Sequence, residues 1–227
     1  AIALRRTIVD LGEEQTSCPD CKAEYHADCW QENSGCALYG CAQAPQVAQR
    51  QAIEIPALVT SDVAACLPVA WGTAWRMVVT HARPQPNDVV LVLGAGGGVG
   101  LAAVQIAKLM GARVIATAST DDKLARIGEY GADHLINYVA DDRWDATVRQ
   151  LTGKRGADVI VETVGEATWE KSIRALGKGG RLVTSGATSG PIGPTDIRYL
   201  FRREQRLMGS NGWTHDELRR VADLTFK

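Results

Sequence analysis

The sequence predicts an α/β protein: a doubly wound parallel sheet of six strands preceded by a small cysteine-rich, metal-binding module. Three observations predict it. Five of the six cysteines fall between Cys18 and Cys41. Five of the 23 glycines fall between Gly94 and Gly100, with an apolar run before them and a helix-patterned segment after. From there on, short apolar runs alternate with helical patterns, the signature of βαβ units. Composition agrees, because 45% hydrophobic and 22% charged residues in a chain of 227 can bury a core and are too apolar for disorder. Lys+Arg 25 against Asp+Glu 26 gives a net charge of −1, which excludes a steering field for nucleic acid or an anionic membrane. No apolar run approaches about 18 residues, so no membrane span is expected. No signal-peptide pattern follows Arg5 and Arg6, and a cytoplasmic location is expected.

Asp88 to Leu93 is a continuous apolar run, as a strand buried on both faces should be. Gly94-Ala-Gly-Gly-Gly-Val-Gly100 follows at once, then Leu101 to Ala112 at helical spacing with Gly111 as the stop. Arg113 to Ala118 is a second strand, and Ser119 or Thr120 can cap the helix carrying Lys123 to Tyr130. His134 to Tyr138 is a third strand, with a helix from Trp144 to Leu151. Ala157 to Thr163 and Thr168 to Leu176 form a fourth strand and helix. Gly180 to Gly186 is a fifth strand and Arg206 to Ser210 a sixth. Six such strands permit the order 3-2-1-4-5-6 of a Rossmann domain, with a ligand at their carboxyl ends.

Strand, glycine turn and helix in that order make a dinucleotide fingerprint credible. Backbone N–H groups at the helix start face a pyrophosphate, and glycine lets the backbone come close. The literal G-x-G-x-x-G is not met; Gly94-x2-Gly97-x2-Gly100 is. The alternative is a tight structural turn.

The cysteine cluster reads Cys18-x2-Cys21-x4-His26-x2-Cys29-x6-Cys36-x4-Cys41. Two thiolates two residues apart grip one tetrahedral ion from a tight turn, and the second pair comes from Cys36 and Cys41 or from His26 and Cys29. A disulfide framework needs an oxidising compartment. Zinc is preferred over disulfides and over free thiols. The string CPDCKAEYHADCWQENSGCALYGC, with Trp30, Gly35 and Gly40, resembles the later part of a prokaryotic RING-finger module. That resemblance implies one zinc shared by Cys18, Cys21, Cys36 and Cys41. It pairs His26 and Cys29 with an earlier Cys-x2-Cys that Ala1 to Ser17 does not contain, leaving a second site incomplete. A closed four-ligand site is structural, with no position for a reacting water.

VLVLGAGGGVGLAAVQIAKLMGARVIATASTDDKLARIGEYGADHLINY (Val90 to Tyr138) is similar to the coenzyme domain of the medium-chain dehydrogenase/reductase superfamily, the family of zinc-type alcohol dehydrogenases and quinone oxidoreductases. The similarity continues through Gly156 to Gly165, Gly179 to Gly190 and Met208 to Gly212. Upstream, Ala64 to Trp75 resembles the family's hinge helix. The resemblance implies that Gly97, Gly98 and Val99 lie beside the pyrophosphate and nicotinamide, and that Thr73 touches the nicotinamide side. Val164 and Gly165, Gly186 and Ala187, and Gly209 and Ser210 would line the same crevice. Ser119 and Thr120 open the loop after the second strand, where Lys123 resembles the family's lysine. Tyr138 resembles the tyrosine of NADP-using quinone and enone reductases. The plain alternatives are a back-bonding helix threonine at 73 and a solvated helix lysine at 123.

An acid at the end of the second strand holds the ribose hydroxyls of NAD, and Ala118 stands there instead. Asp121 and Asp122 suit the next helix start. NADP(H) is therefore favoured over NAD(H). The family's hinge zinc position is Val69, and Cys66 is read as a small buried hydrophobe. His81, His134 and His215 are read as surface or capping residues, and no nucleophile elbow is present.

Three segments are expected: a partial RING-like module at 1–45, a linker and hinge helix at 46–86, and the dinucleotide domain at 87–227. Most of the family's catalytic domain would be missing from such a chain. The expected activity is hydride transfer between NADP(H) and a small carbonyl, enone, quinone or alcohol. The alternative is a non-catalytic zinc-stabilised interaction module that binds nucleotide. The expected partners are a small-molecule substrate and, by family resemblance, a second copy through the sheet edge.

Overall fold

The apolar runs pair into one sheet. A computed structural model describes residues 15–17, 19, 24–26 and 53–226. The chain divides into two units, Ala1–Ala64 with Phe226 and Ala65–Thr225 with Lys227. In the first, β1 (Gln15–Ser17) and β2 (Glu24–His26) form an antiparallel pair with Gln15 opposite His26. Cys18, Cys21, Cys29, Cys36, Cys41 and the His26 side chain lie outside the described residues, as do positions 42–52 of the linker.

The second unit carries β3 (Val89–Val92), β4 (Arg113–Ala118), β5 (His134–Asn137), β6 (Ala157–Glu162), β7 (Leu176–Thr184) and β8 (Arg206–Gly209). Their order is β5-β4-β3-β6-β7-β8, all parallel, which is the expected 3-2-1-4-5-6. The period of two explains the unbroken apolar runs. Val90, Val92, Val114, Ala116, Val159 and Val161 face one core, while Leu91, Ile115, Ile160 and Leu182 face the other.

The first core is covered by α2 (Gly98–Leu109) and α3 (Asp121–Glu129), and the second by α4 (Trp144–Leu151) and α5 (Glu166–Ala175). Thr120, not Ser119, caps α3, its hydroxyl accepting from Lys123 N at 3.4 Å. The fifth strand begins earlier than read, at Leu176, because a register shift near Ala157 lets β7 pair with β6 twice. Two further helices lie outside the expected elements, α6 (Ile197–Arg203) and α7 (His215–Thr225), and α7 buries Leu218, Val221 and Ala222.

One helix precedes the sheet, α1 (Ser61–Ala82). Its turns widen to i→i+5 bonding over Leu67–Gly72 and Arg76–Ala82. Pro68 opens the first wide stretch, where its missing N–H loosens the ladder. At 22 residues and a mean hydropathy of 1.2, α1 is long and apolar enough to cross a membrane by those measures alone, contrary to the expectation of no such segment. Ala74, Met77, Val78 and Ala82 are instead fully buried in the first core, as in a core helix. Cys66 is also corrected: it is exposed on the first turns of α1 rather than a buried hydrophobe.

Candidate functional site

The glycine turn leaves the carboxyl end of β3, where the neighbours β4 and β6 run to opposite sides. Gly94 takes φ +60°, the left-handed region open to glycine. Thr117 of β4 pins the turn, its carbonyl accepting from Ala95 N at 2.9 Å and its hydroxyl from Gly94 N at 3.4 Å. Gly97 N closes it onto Gly94 O at 3.0 Å.

Gly97 is then the N-cap of α2 and has no side chain with which to cap it. The first-turn N–H groups of Gly98, Val99 and Gly100 have no intrahelical acceptor. Gly96, Gly97 and Gly98 are exposed, so the start of α2 opens to solvent, while Gly100 is buried. A Cβ on Gly97 would come no nearer than 3.5 Å to Gly94 O and would project into that space. A Cβ on Gly100 would stand 2.6 Å from Gly94 O and 2.7 Å from Ala95 Cα. The three glycines thus divide the work: Gly94 turns the chain, Gly97 leaves room for a ligand, and Gly100 lets helix and strand touch.

Such a turn fits the pyrophosphate of a dinucleotide, which needs bare backbone and the positive end of a helix. Gly98 packs beside α1, its Cβ position 3.2 Å from Ala70 Cβ. Thr73 lies one turn further along α1 and is half-buried.

The loops after β6, β7 and β8 stand at the same end of the sheet. The Gly94 Cβ position is 3.5 Å from Val164 Cγ2. Thr188 donates to Thr163 O at 2.7 Å, and Ser210 N to Thr184 O at 2.8 Å. Together these loops and the start of α5 enclose a cavity of about 540 Å³. Gly165, Gly186, Ala187, Gly209 and Ser210 line it, with Trp169 as the large wall. Val164 turns toward the glycine turn, and Gly97, Gly98, Val99 and Thr73 do not line the cavity. The Ser210 hydroxyl is buried and has no partner among the described residues.

On the other flank, Ala118 at the end of β4 is buried and uncharged. Lys123 is exposed, its Cδ 3.2 Å from a Cβ position on Gly96 and its Nζ 3.5 Å from the Ser119 hydroxyl. Tyr138 is exposed, and its N–H bonds Ala118 O at 3.1 Å. Ser119, Thr120, Lys123 and Tyr138 therefore gather where β4 and β5 end. Asp121 is engaged by Asn137, whose amide donates to it at 2.8 Å.

The sequence reading missed Glu162, the last residue of β6. It is fully buried, and its carboxylate accepts from Val164 N, Gly165 N, Thr168 Oγ1 and Ser172 Oγ at 2.7, 3.1, 2.8 and 2.8 Å. A lone acid ending an apolar strand was the available signal. His134 and His215 each sit against an arginine, 3.3 Å from Arg113 and 3.1 Å from Arg219. Among the described residues no three His, Cys, Asp or Glu side chains could hold a metal ion.

Residues 98–227, more than half of the chain, match the family described as zinc-binding dehydrogenase. Quinone oxidoreductase-like protein 2 of Rattus norvegicus is 36% identical over 162 residues, 71% of this chain and 46% of the relative. The chain thus spans about half the length of the relatives it matches. The solved structure of an NAD-dependent alcohol dehydrogenase is 40% identical with a TM-score of 0.73, covering 77% of this chain and 50% of that one. A 2-octenoyl-CoA carboxylase reductase, solved with NADP and 2-octenoyl-CoA, is 32% identical with a TM-score of 0.69, covering 77% and 43%. The six-stranded parallel sheet and its glycine turn agree with these matches: the chain belongs to the zinc-binding dehydrogenase family of the medium-chain dehydrogenase/reductase superfamily.

Proposed function

We propose that the chain binds NADP(H) and serves hydride transfer to or from a small uncharged carbonyl, enone, quinone or alcohol. The carrying observation is the exposed, uncapped glycine turn at the start of α2, beside the switch point between β3 and β6. When bound, the nicotinamide supplies the hydride chemistry. The chain's own residues bind and orient it. The α2 N–H groups would take the pyrophosphate, while Ser119, Lys123 and Tyr138 would take the adenosine end. Lys123 offers a point charge to a 2′-phosphate where an acid would have repelled it. NADP over NAD is supported by Ala118, and the relatives include both an NAD-dependent enzyme and one solved with NADP.

The cavity supports the choice of substrate. Among the described residues Glu166 is its only ionisable lining side chain, and no cation lines it, so an anion finds no counter-charge there. The unpartnered Ser210 hydroxyl suits a ligand oxygen.

The test is titration with NADPH and NADH, then oxidation of NADPH with a panel of quinones and enones. Tighter NADPH than NADH is expected, and the reverse overturns the cofactor choice. Binding without turnover on any substrate favours a non-catalytic nucleotide-binding role. Lys123→Ala is expected to weaken NADPH about tenfold while NADH changes less than twofold.

We also retain as proposals a structural zinc on Cys18, Cys21, Cys36 and Cys41, a partial second site at His26 and Cys29, and the segments 1–45, 46–86 and 87–227. A second copy docked through the sheet edge and a cytoplasmic location complete the proposal. Metal analysis of the reduced protein is expected to find close to one zinc per chain, and less than about half a zinc overturns the closed site.

A further inference from the structure

We infer that Glu162 is a positioning residue that sets the wall shared by the glycine turn and the 540 Å³ cavity. The inference rests on the cofactor reading above for its functional meaning.

Glu162 is 0% exposed, and burying a carboxylate is costly unless its oxygens are fully hydrogen-bonded. Here both are. Oε1 takes the N–H groups of Val164 and Gly165, and Oε2 takes the hydroxyls of Thr168 and Ser172 on α5. All four neighbours are donors toward it, the Thr168 hydroxyl lying nearer to it than to Gly165 O at 3.1 Å, and that complement is one a carboxylate can use and an amide cannot use in full.

These four bonds do more than hold β6 to α5. They bend the chain back over its own strand end within three residues. Gly165 leaves that bend at φ +90°, packed so closely that a Cβ would stand 2.6 Å from Gly190 O. Val164 is aimed the other way, at Gly94, with Cγ2 3.5 Å from its Cβ position. The bend therefore presents Val164 to the floor of the glycine turn and Gly165 to the cavity. If the carboxylate loses its grip, both surfaces move together. Structural packing alone would be served by an apolar side chain at this position, as at Ile160 and Val161 of the same strand.

The test compares the parent chain with Glu162→Gln, which keeps shape and loses charge, and with Thr168→Val and Ser172→Ala, which each remove one donor. NADPH dissociation constants are measured at 10 °C, well below unfolding, with thermal melts and amide exchange at Val164 and Gly165 alongside. Glu162→Gln is expected to weaken NADPH about tenfold and to speed exchange at both amides at least tenfold. Each hydroxyl variant is expected to weaken NADPH about threefold, so the inference stays testable if Glu162→Gln does not fold. A folded Glu162→Gln with a lower melting temperature, but NADPH affinity within twofold and unchanged exchange, overturns the inference. If the parent chain binds neither NADPH nor NADH, the cofactor reading fails instead. Exchange at Val164 and Gly165 then decides alone whether Glu162 sets the loop.

Discussion

Gly100→Ala is expected to lower the unfolding free energy by about 2 kcal/mol, the usual cost of forcing an extra methyl into a close-packed contact. The added carbon would meet Gly94 O at 2.6 Å, Ala95 Cα at 2.7 Å and Ala95 N at 3.1 Å. All three are backbone atoms, so no side chain can swing aside. Either α2 lifts off β3 or the turn deforms, and the phosphate-facing N–H groups move with it. The melting temperature should fall by roughly 4–8 °C, read from thermal unfolding. NADPH affinity should fall at least tenfold. Gly97→Ala is the matched control, because its methyl has 3.5 Å to its nearest neighbour. It should leave stability within about 0.5 kcal/mol, as open positions do, and still weaken NADPH by filling the cradle. Normal NADPH binding by Gly97→Ala would remove the basis for the dinucleotide site.

Glu217→Gln is expected to cost about 3 kcal/mol at neutral pH and less than about 0.5 kcal/mol near pH 2. Burial pushes the Glu217 carboxyl up, but the Thr80 hydroxyl, the Thr214 N–H and the Arg76 guanidinium more than offset it and hold it at about 2 against an ordinary 4.5. Arg76 lies 2.8 Å away and Thr214 N 2.6 Å away. With Glu217 N on the Thr214 hydroxyl at 3.3 Å, the residue closes a capping box on α7 while tying α7 to α1. A carboxyl whose pKa is depressed by folding stabilises the fold above its unfolded value. That stabilisation is complete above about pH 4.5 and disappears as pH falls from 4.5 toward 2. Urea unfolding of parent and variant across this window checks it. A difference between them that stays constant from pH 7 to pH 2 would show that packing, not charge, ties the helices.

The sheet was readable because its strands centre on short apolar runs closed by glycine or polar residues, and only the Gly-Lys-Gly start of β7 carries no such run. Val89 to Val92 and Ala157 to Glu162 pair as expected. The helix at Trp144–Leu151 was bounded to the residue, because its apolar spacing is unbroken. The glycine turn was readable from its flanking strand and helix. The short α6 was not, since Ile197, Arg198, Phe201 and Arg202 are exposed and leave no buried stripe to read. Thr214-x2-Glu217 is a legible capping signature at the start of α7. Cys66 departs from the expectation because cysteines are usually buried, and only the placement of α1 exposes this one. The cysteine module and its ligand pairing rest on spacing and resemblance.

The residue pattern carries the doubly wound sheet and the glycine turn, and it permits the strand order that the fold adopts. These depend on local period and on neighbours in the chain, which the residue pattern carries directly. The tertiary structure decided which loops meet at the carboxyl ends, that Lys123 lies over Gly96, that Glu162 holds the wall of the crevice, and that Glu217 reaches Arg76 and Thr80. Those contacts are made when helices and loops from distant parts of the chain come together on one rigid sheet. No local periodicity encodes such partners, so a residue's type is visible in the sequence before its partner is.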